Sequence, residues 1–168
     1  ALAVQQNLWS NSASWSGGAV PSATDDVVID LSSSTCATLT PLLVINVAVS
    51  VNSLTINSAS TPCVTVVQLS GSLSANSVTV GAKAWLHLAA GSQINCGTFS
   101  GSGLISGFGT VVATRTVTLA STAELQPGTN GNGSCERCYP ISTTVPARNA
   151  VNVLGDLTFT SPSTLLNG

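Results

Sequence analysis

The sequence predicts an all-β fold: a β-solenoid, in which one chain winds through stacked coils. Three observations carry this. An apolar-Thr-apolar phrase recurs as Ser53-Leu54-Thr55-Ile56, Ser77-Val78-Thr79-Val80, Thr116-Val117-Thr118-Leu119 and Asp156-Leu157-Thr158-Phe159. Alternate side chains of a strand face opposite sides, so each apolar pair points inward and each Thr outward. The intervals suit coils: Leu54 to Val78 is 24 positions and Val78 to Val117 is 39, or two coils of about 20 residues. Gly97-Thr98-Phe99 supplies the copy for the skipped coil. Leucines echo the phrase, with Leu86, Leu125 and Leu165 each eight places after Val78, Val117 and Leu157. That offset marks a second strand in the same coil.

Composition narrows the function. Charged residues are only 6% of the chain and the net charge is −2, where an average soluble domain has roughly 25% charged residues. Nothing in that balance attracts nucleic acid or an anionic membrane. No apolar run is long enough for a transmembrane helix, so no membrane insertion is expected. Five Cys with a single His suggest an oxidising compartment. The Ala1-Leu2-Ala3 start and the absence of Met suggest a processed N-terminus. Secretion, to the extracellular space or the cell surface, is the expected localisation. A surface this poor in charge lacks the usual protection against self-association. It is expected to polymerise, to carry sugars, or both.

Residues 1–26 read as an N-terminal cap. Trp9 and Trp15 precede the first apolar strand, and Gly17, Gly18 and Pro21 suit the tight path between them. Two bulky rings there would plug the open end of a solenoid, whose bare edges invite uncontrolled pairing. The run from Trp9 through Trp15-Ser16-Gly17-Gly18, Val20-Pro21 and Asp25-Asp26-Val27-Val28-Ile29 resembles the opening segment of secreted parallel β-helix proteins. These include bacterial surface adhesins and the extracellular modules called G8 domains. From Gly101-Ser102-Gly103-Leu104 through Leu125-Gln126-Pro127-Gly128 to Leu154-Gly155-Asp156-Leu157-Thr158-Phe159, the chain resembles passenger repeats of autotransporter-type adhesins. The resemblance implies a single-stranded right-handed parallel β-helix in an extracellular setting. It implies no one activity, because the fold hosts lyases, adhesins and inert stalks.

Residues 27–126 read as the coils. Val27-Val28-Ile29, Leu42-Leu43-Val44-Ile45 and Val47-Ala48-Val49 are β-rich strands. Asn46, Asn52, Asn57 and Asn76 sit beside such runs, where Asn suits a corner and can stack in an amide ladder. Gly101 to Gly109 reads as a glycine-rich turn, with no following helix that would make it a phosphate loop. Residues 127–150 break the rhythm and read as an inserted loop, stapled by Cys135 and Cys138 and displaying Arg137 and Tyr139 for interaction. Its Asn132-Gly133-Ser134 is a sequon, so Asn132 is a glycosylation candidate. Residues 151–168 read as the last coil, with no cap visible beyond it.

Cys36 and Cys63 each lie nine residues after aligned core positions, Val27 and Leu54. Equal offsets stack them at about the strand spacing, within the Cα separation a disulfide accepts, so Cys36–Cys63 is the expected pair. Cys96 is left over: a buried thiol, a partner of the loop cysteines, or an intermolecular link. Catalysis on a polysaccharide would need clustered acids and bases. Here six acids and four bases are scattered, so no enzyme, metal or cofactor is expected. Asp25, Asp26 and Asp30 are the one place a calcium ion would suit. His87 alternates outward and reads as a surface residue.

The leading functional expectation is a structural subunit of an extracellular filament, appendage or coat, assembled by end-to-end stacking. The alternative is an adhesin or carbohydrate-binding module acting through the 127–150 loop. A polysaccharide-active fragment ranks lower. So does an ice-binding protein, suggested by an outward row of Thr55, Thr79, Thr98, Thr118 and Thr158.

Overall fold

Runs rich in Val, Ile, Leu and Thr, punctuated by Gly, Asn and Ser, become strands that lie one above another. The structure, a computed structural model, describes residues 6–30, 42–57, 65–127, 150–153, 157–160 and 166–167. In chain order the strands are β1 (Gln6–Leu8), β2 (Asp26–Asp30), β3 (Leu42–Ile45), β4 (Val49–Asn57), β5 (Thr65–Leu69), β6 (Ser72–Val80) and β7 (Ala84–Leu88). There follow β8 (Gln93–Gly101), β9 (Leu104–Gly107), β10 (Thr110–Leu119), β11 (Glu124–Pro127), β12 (Ala150–Val153), β13 (Leu157–Thr160) and β14 (Leu166–Asn167). The odd-numbered strands from β1 to β11 form one parallel sheet. The even-numbered strands from β2 to β10 form the other, also parallel. From β1 to β11 each strand therefore pairs with the strand two steps along the chain, which is the winding of a β-solenoid.

The recurring phrase aligns as expected through four coils. Val27, Leu54, Val78, Phe99 and Val117 stand in one inward row. The skipped copy at Phe99 is confirmed, dividing the 39-residue interval into 21 and 18. Leu43, Val67, Leu86, Ile105 and Leu125 stack in the facing sheet. Both rows are buried in a single core, and each such side chain contributes roughly 1.5–3 kcal/mol by leaving water. Size is balanced locally. Phe99 replaces a β-branched or Leu side chain in its row, and Gly101 two residues later cedes space. A Cβ at Gly101 would lie 2.9 Å from Ile105 Cδ1 and 3.2 Å from Leu119 Cδ2.

Connections from the even sheet to the odd sheet span 31–41, 58–64, 81–83, 102–103 and 120–123. Those on the opposite edge, at 46–48, 70–71, 89–92 and 108–109, stay short. Coil length therefore varies mainly at one edge. Cys36 and Cys63, the expected disulfide pair, lie outside the described residues.

Trp9 is 1% exposed and packs on the core at the β1 end, stacked edge-to-face on Trp15 at 4.6 Å. The Trp15 indole N–H donates to the Trp9 carbonyl at 2.9 Å. On either side of this Trp pair in sequence, β1 and β2 pair with β3 and β4 as edge strands of the two sheets.

Three expectations are corrected. Residues 104–107 form a strand, not part of a glycine turn. The glycines before it and at its end are required by close backbone approach: a Cβ on Gly103 would collide with the Gly81 and Ala84 carbonyls, and one on Gly107 with that of Leu88. The fourth phrase does not continue the row of the other three. Phe159 lies beside Val111, and β14 brings Leu166 beside Thr118. A period of two fits either limb of β10 equally well, so the pattern alone did not choose. Finally, the fourth phrase is not uncovered, since β12 pairs antiparallel with β13 and sets Val151 against Phe159.

Gly107 has φ of +110° as well as the Leu88 contact, so Gly107→Ala combines backbone strain with a clash. A loss of about 2 kcal/mol or more in denaturant unfolding is expected, whereas Gly17→Ala, with open space around it, changes stability by less than about 0.5 kcal/mol.

Candidate functional site

The strands β4, β6, β8 and β10 each break their alternation at a corner. In β4 the core residues Val51 and Leu54 are separated by two non-core residues, Asn52 and Ser53. The equivalent pairs are Asn76-Ser77 in β6 and Gly97-Thr98 in β8. Stacked corners place like groups together. The Asn76 side-chain amide donates to Asn52 Oδ1 at 2.8 Å, and that of Asn52 donates to Asp26 Oδ1 at 2.7 Å. The expected corner ladder therefore exists, and Asp26 ends it. The Ser53 hydroxyl also donates to Asp26 at 2.6 Å.

At β8 the ladder meets Gly97, where a Cβ would lie 2.5 Å from the Asn76 carbonyl oxygen. Above it β10 carries a bulge between Ala113 and Thr116. The extra residue makes room for Arg115, whose Nε and Cζ lie 3.3 and 3.4 Å from the position of that absent Cβ. Bulges commonly re-aim a side chain in this way. Sequence reading did not single out Arg115 for a site, but a signal was there. Val51 to Leu54, Ala75 to Val78 and Cys96 to Phe99 each span three positions, whereas Ala113 to Val117 spans four. Beside the corner runs an open cleft of about 380 Å³, lined by Ser50, Ser74, Asn76, Asn95, Thr114 and Arg115 among others.

Past the corner, the outward positions form a hydroxyl-bearing face. One rank is Ser53, Ser77, Thr98 and Thr116, and the next is Thr55, Thr79, Ser100 and Thr118. All eight are half-buried, and Ser100 donates to Thr79 at 3.1 Å. The single Thr row expected from the sequence is thus replaced by two Ser/Thr ranks. Thr98 belongs to the other rank, and Thr158 pairs with Thr110 at the far limb of β10.

His87 is not a surface residue. It is 6% exposed, and its Nδ1 lies 3.0 Å from the Ser106 hydroxyl, which also accepts from the Trp85 indole N–H at 2.7 Å. Ser106 is itself fully buried. Cys96 is a free thiol, 3% exposed, in the small-residue row of Val51, Ala75 and Ala113. Burial pushes its pKa up to about 11, which leaves it unreactive and poorly placed for an intermolecular link.

The Asp25 carboxylate accepts from the Ser22 backbone N–H at 2.7 Å and its hydroxyl at 2.9 Å. Together with the ladder contacts of Asp26, this gives both acids local hydrogen-bonding partners. Among the described residues, no group of three or more His, Cys, Asp or Glu could hold a metal, and no helix is long and apolar enough to cross a membrane. Cys36, Cys63, Asn132, Cys135, Arg137, Cys138 and Tyr139 lie outside the described residues. No known protein family, characterised protein or solved structure matches this chain.

Burial lowers the His87 pKa from 6.5, so the fold favours the neutral ring. Its contribution is fully present above pH 6.5 and is lost as pH falls below it. Hydrogen bonds from the Ser22 backbone and side chain lower Asp25, and those from Ser53 and Asn52 lower Asp26, below 3.8. Their contributions are present above pH 3.8 and fail as pH falls through the depressed values. Urea midpoints are therefore expected to drop in two stages on acidification, and His87→Gln to remove only the first. A midpoint that stays level across the first stage contradicts the assignment of His87.

Proposed function

We propose that this chain is a non-enzymatic structural subunit of an extracellular filament, appendage or surface coat, assembled by end-to-end stacking of its solenoid. The observation that carries this reading is how the two sheets terminate. Among the described residues, β1 and β2 at one end and β11 and β12 at the other each pair on one side only. Unpaired strand edges seek partners, and a second copy supplies them by continuing the ladder. An incoming β2 that keeps the direction of β10 and β13 meets β12 antiparallel, and an incoming β1 meets β11 parallel. A contact of this kind is heterologous and does not close, so it grows filaments. The low charge of the whole chain favours it. The non-enzymatic reading is supported by His87 and Ser106, a potential base and nucleophile in contact, because both are sealed from solvent.

One specific observation favours a second reading. The two Ser/Thr ranks make an uncharged lattice whose rungs repeat at about the 4.8 Å strand spacing, and a periodic solid such as ice presents matching hydroxyl rows. The adhesin reading depends on the 127–150 loop, most of which is outside the described residues.

Electron microscopy and light scattering of purified protein test the first reading. Filaments one solenoid wide are expected to lengthen with concentration. Val28→Lys places a charge at a position 64% exposed on the β2 edge and is expected to shorten them. Monodisperse monomers at high concentration would refute end-to-end assembly. Inhibition of ice recrystallisation that disappears in Thr79→Lys would move the assignment to the second reading.

A further inference from the structure

We propose that the cleft beside the corners of β4, β6, β8 and β10 binds a carboxylate-bearing oligosaccharide, with hydroxyl and amide rungs along its length and Arg115 at one end. The inference uses neither sheet edge and goes beyond the structural role, so the failure of filament assembly would leave it standing.

The cleft is elongated by construction. Its lining comes from four successive coils, β4 to β10, and three strand spacings of about 4.8 Å give it a run of about 14 Å along the axis. With a volume of about 380 Å³, it suits a short segment of a linear chain, not a bulky globular ligand. Ser50, Ser74 and Asn95 face outward in register along it. Asn76 and Thr114 flank them at the corners. Hydroxyl and amide side chains offer both donors and acceptors, which is the mixture that sugar hydroxyls return.

The charge in the cleft is specific. Arg115 is the one charged side chain of the lining. The β10 bulge presents it over Gly97, the rung at which the Asn76 carbonyl excludes any side chain. The guanidinium thus lies where the preceding coils put an asparagine. Arg115 is exposed and already engages a neighbour within the molecule; its guanidinium carries five N–H donors in a planar fork. That fork matches a carboxylate in bidentate fashion.

The same features disfavour other occupants. An extended peptide binds by adding to a free strand edge or by filling apolar pockets, whereas β4, β6 and β8 are paired on both sides. A nucleic acid strand needs several cations along its phosphates, and the lining has one. No aromatic residue lines the cleft, so recognition works through hydrogen bonds and charge in place of ring stacking.

Calorimetric titration of the intact chain with trigalacturonate, galactotriose and a short poly-aspartate tests this. Trigalacturonate is expected to bind at least tenfold more tightly than galactotriose. Arg115→Gln should remove that difference, and Arg115→Lys should restore part of it. Ser74→Tyr, which fills the cleft from an exposed position, should abolish binding of both sugars. Urea midpoints of each variant establish that it is folded. Absence of trigalacturonate binding, equal binding by folded Arg115→Gln, binding unaffected by Ser74→Tyr, or poly-aspartate binding as tight as trigalacturonate would each overturn the proposal.

Discussion

Everything in this structure depends on parallel backbone pairing between successive coils. Once one strand pairs with the next at about 4.8 Å, each side chain is forced to sit over its counterpart. The core then becomes a set of rows, and each row has a size. Val51, Ala75, Cys96 and Ala113 make a narrow row. Cys96 fits there as a small apolar side chain, so its presence is explained by volume without redox chemistry. The Phe99 row is wide, and Gly101 beside it keeps local volume constant. Where rows tighten to backbone contact, as at Gly103 and Gly107, only glycine is accommodated.

The same stacking organises the outside. Polar groups at corners would be costly if left unpaired, and repetition provides each with an identical neighbour. The chain from Asn76 through Asn52 to Asp26 is the outcome, and it terminates on an acid able to accept twice. Irregularities then stand out against the repeat. The β10 bulge interrupts the corner series and places a cation at the end of an otherwise neutral cleft. Chemistry in a solenoid is most readily found where the period fails, because the regular part is already occupied by holding itself together.

Much of the fold was legible in the sequence because the period-two phrase measures coil length directly. Leu54, Val78 and Val117 located the missing strand at Phe99, and the leucine echo located Leu86 and Leu125 in the facing sheet. What failed were matters of register. Thr98 and Ser100 are both outward, and only pairing decides which lies beside Thr79. The phrase at Leu157 carries the same alternation as its predecessors, yet pairs with the other limb of β10. His87 was placed on the correct outer face, but alternation does not reveal whether that face is covered. Of the candidate site, the asparagine corner was visible and its cation was not. Arg115 is disclosed by one extra residue between Ala113 and Val117, which matters only once the corner is known to be a corner.

The unequal connections have a consequence for how this chain tolerates change. Val27, Leu54, Val78, Phe99 and Val117 keep one-to-one register although they are separated by 27, 24, 21 and 18 residues. The surplus is absorbed chiefly between the even and odd sheets, and no core row shifts to accommodate it. That edge behaves as a seam at which sequence can be let out or taken in, since lengthening a surface loop costs little. A foreign peptide inserted between Ala82 and Lys83, or between Ser121 and Thr122, where the connections are exposed, would therefore be displayed at a fixed height along a rigid axis. The molecule is in effect a graduated scaffold, with one edge for attachment and two faces for contact.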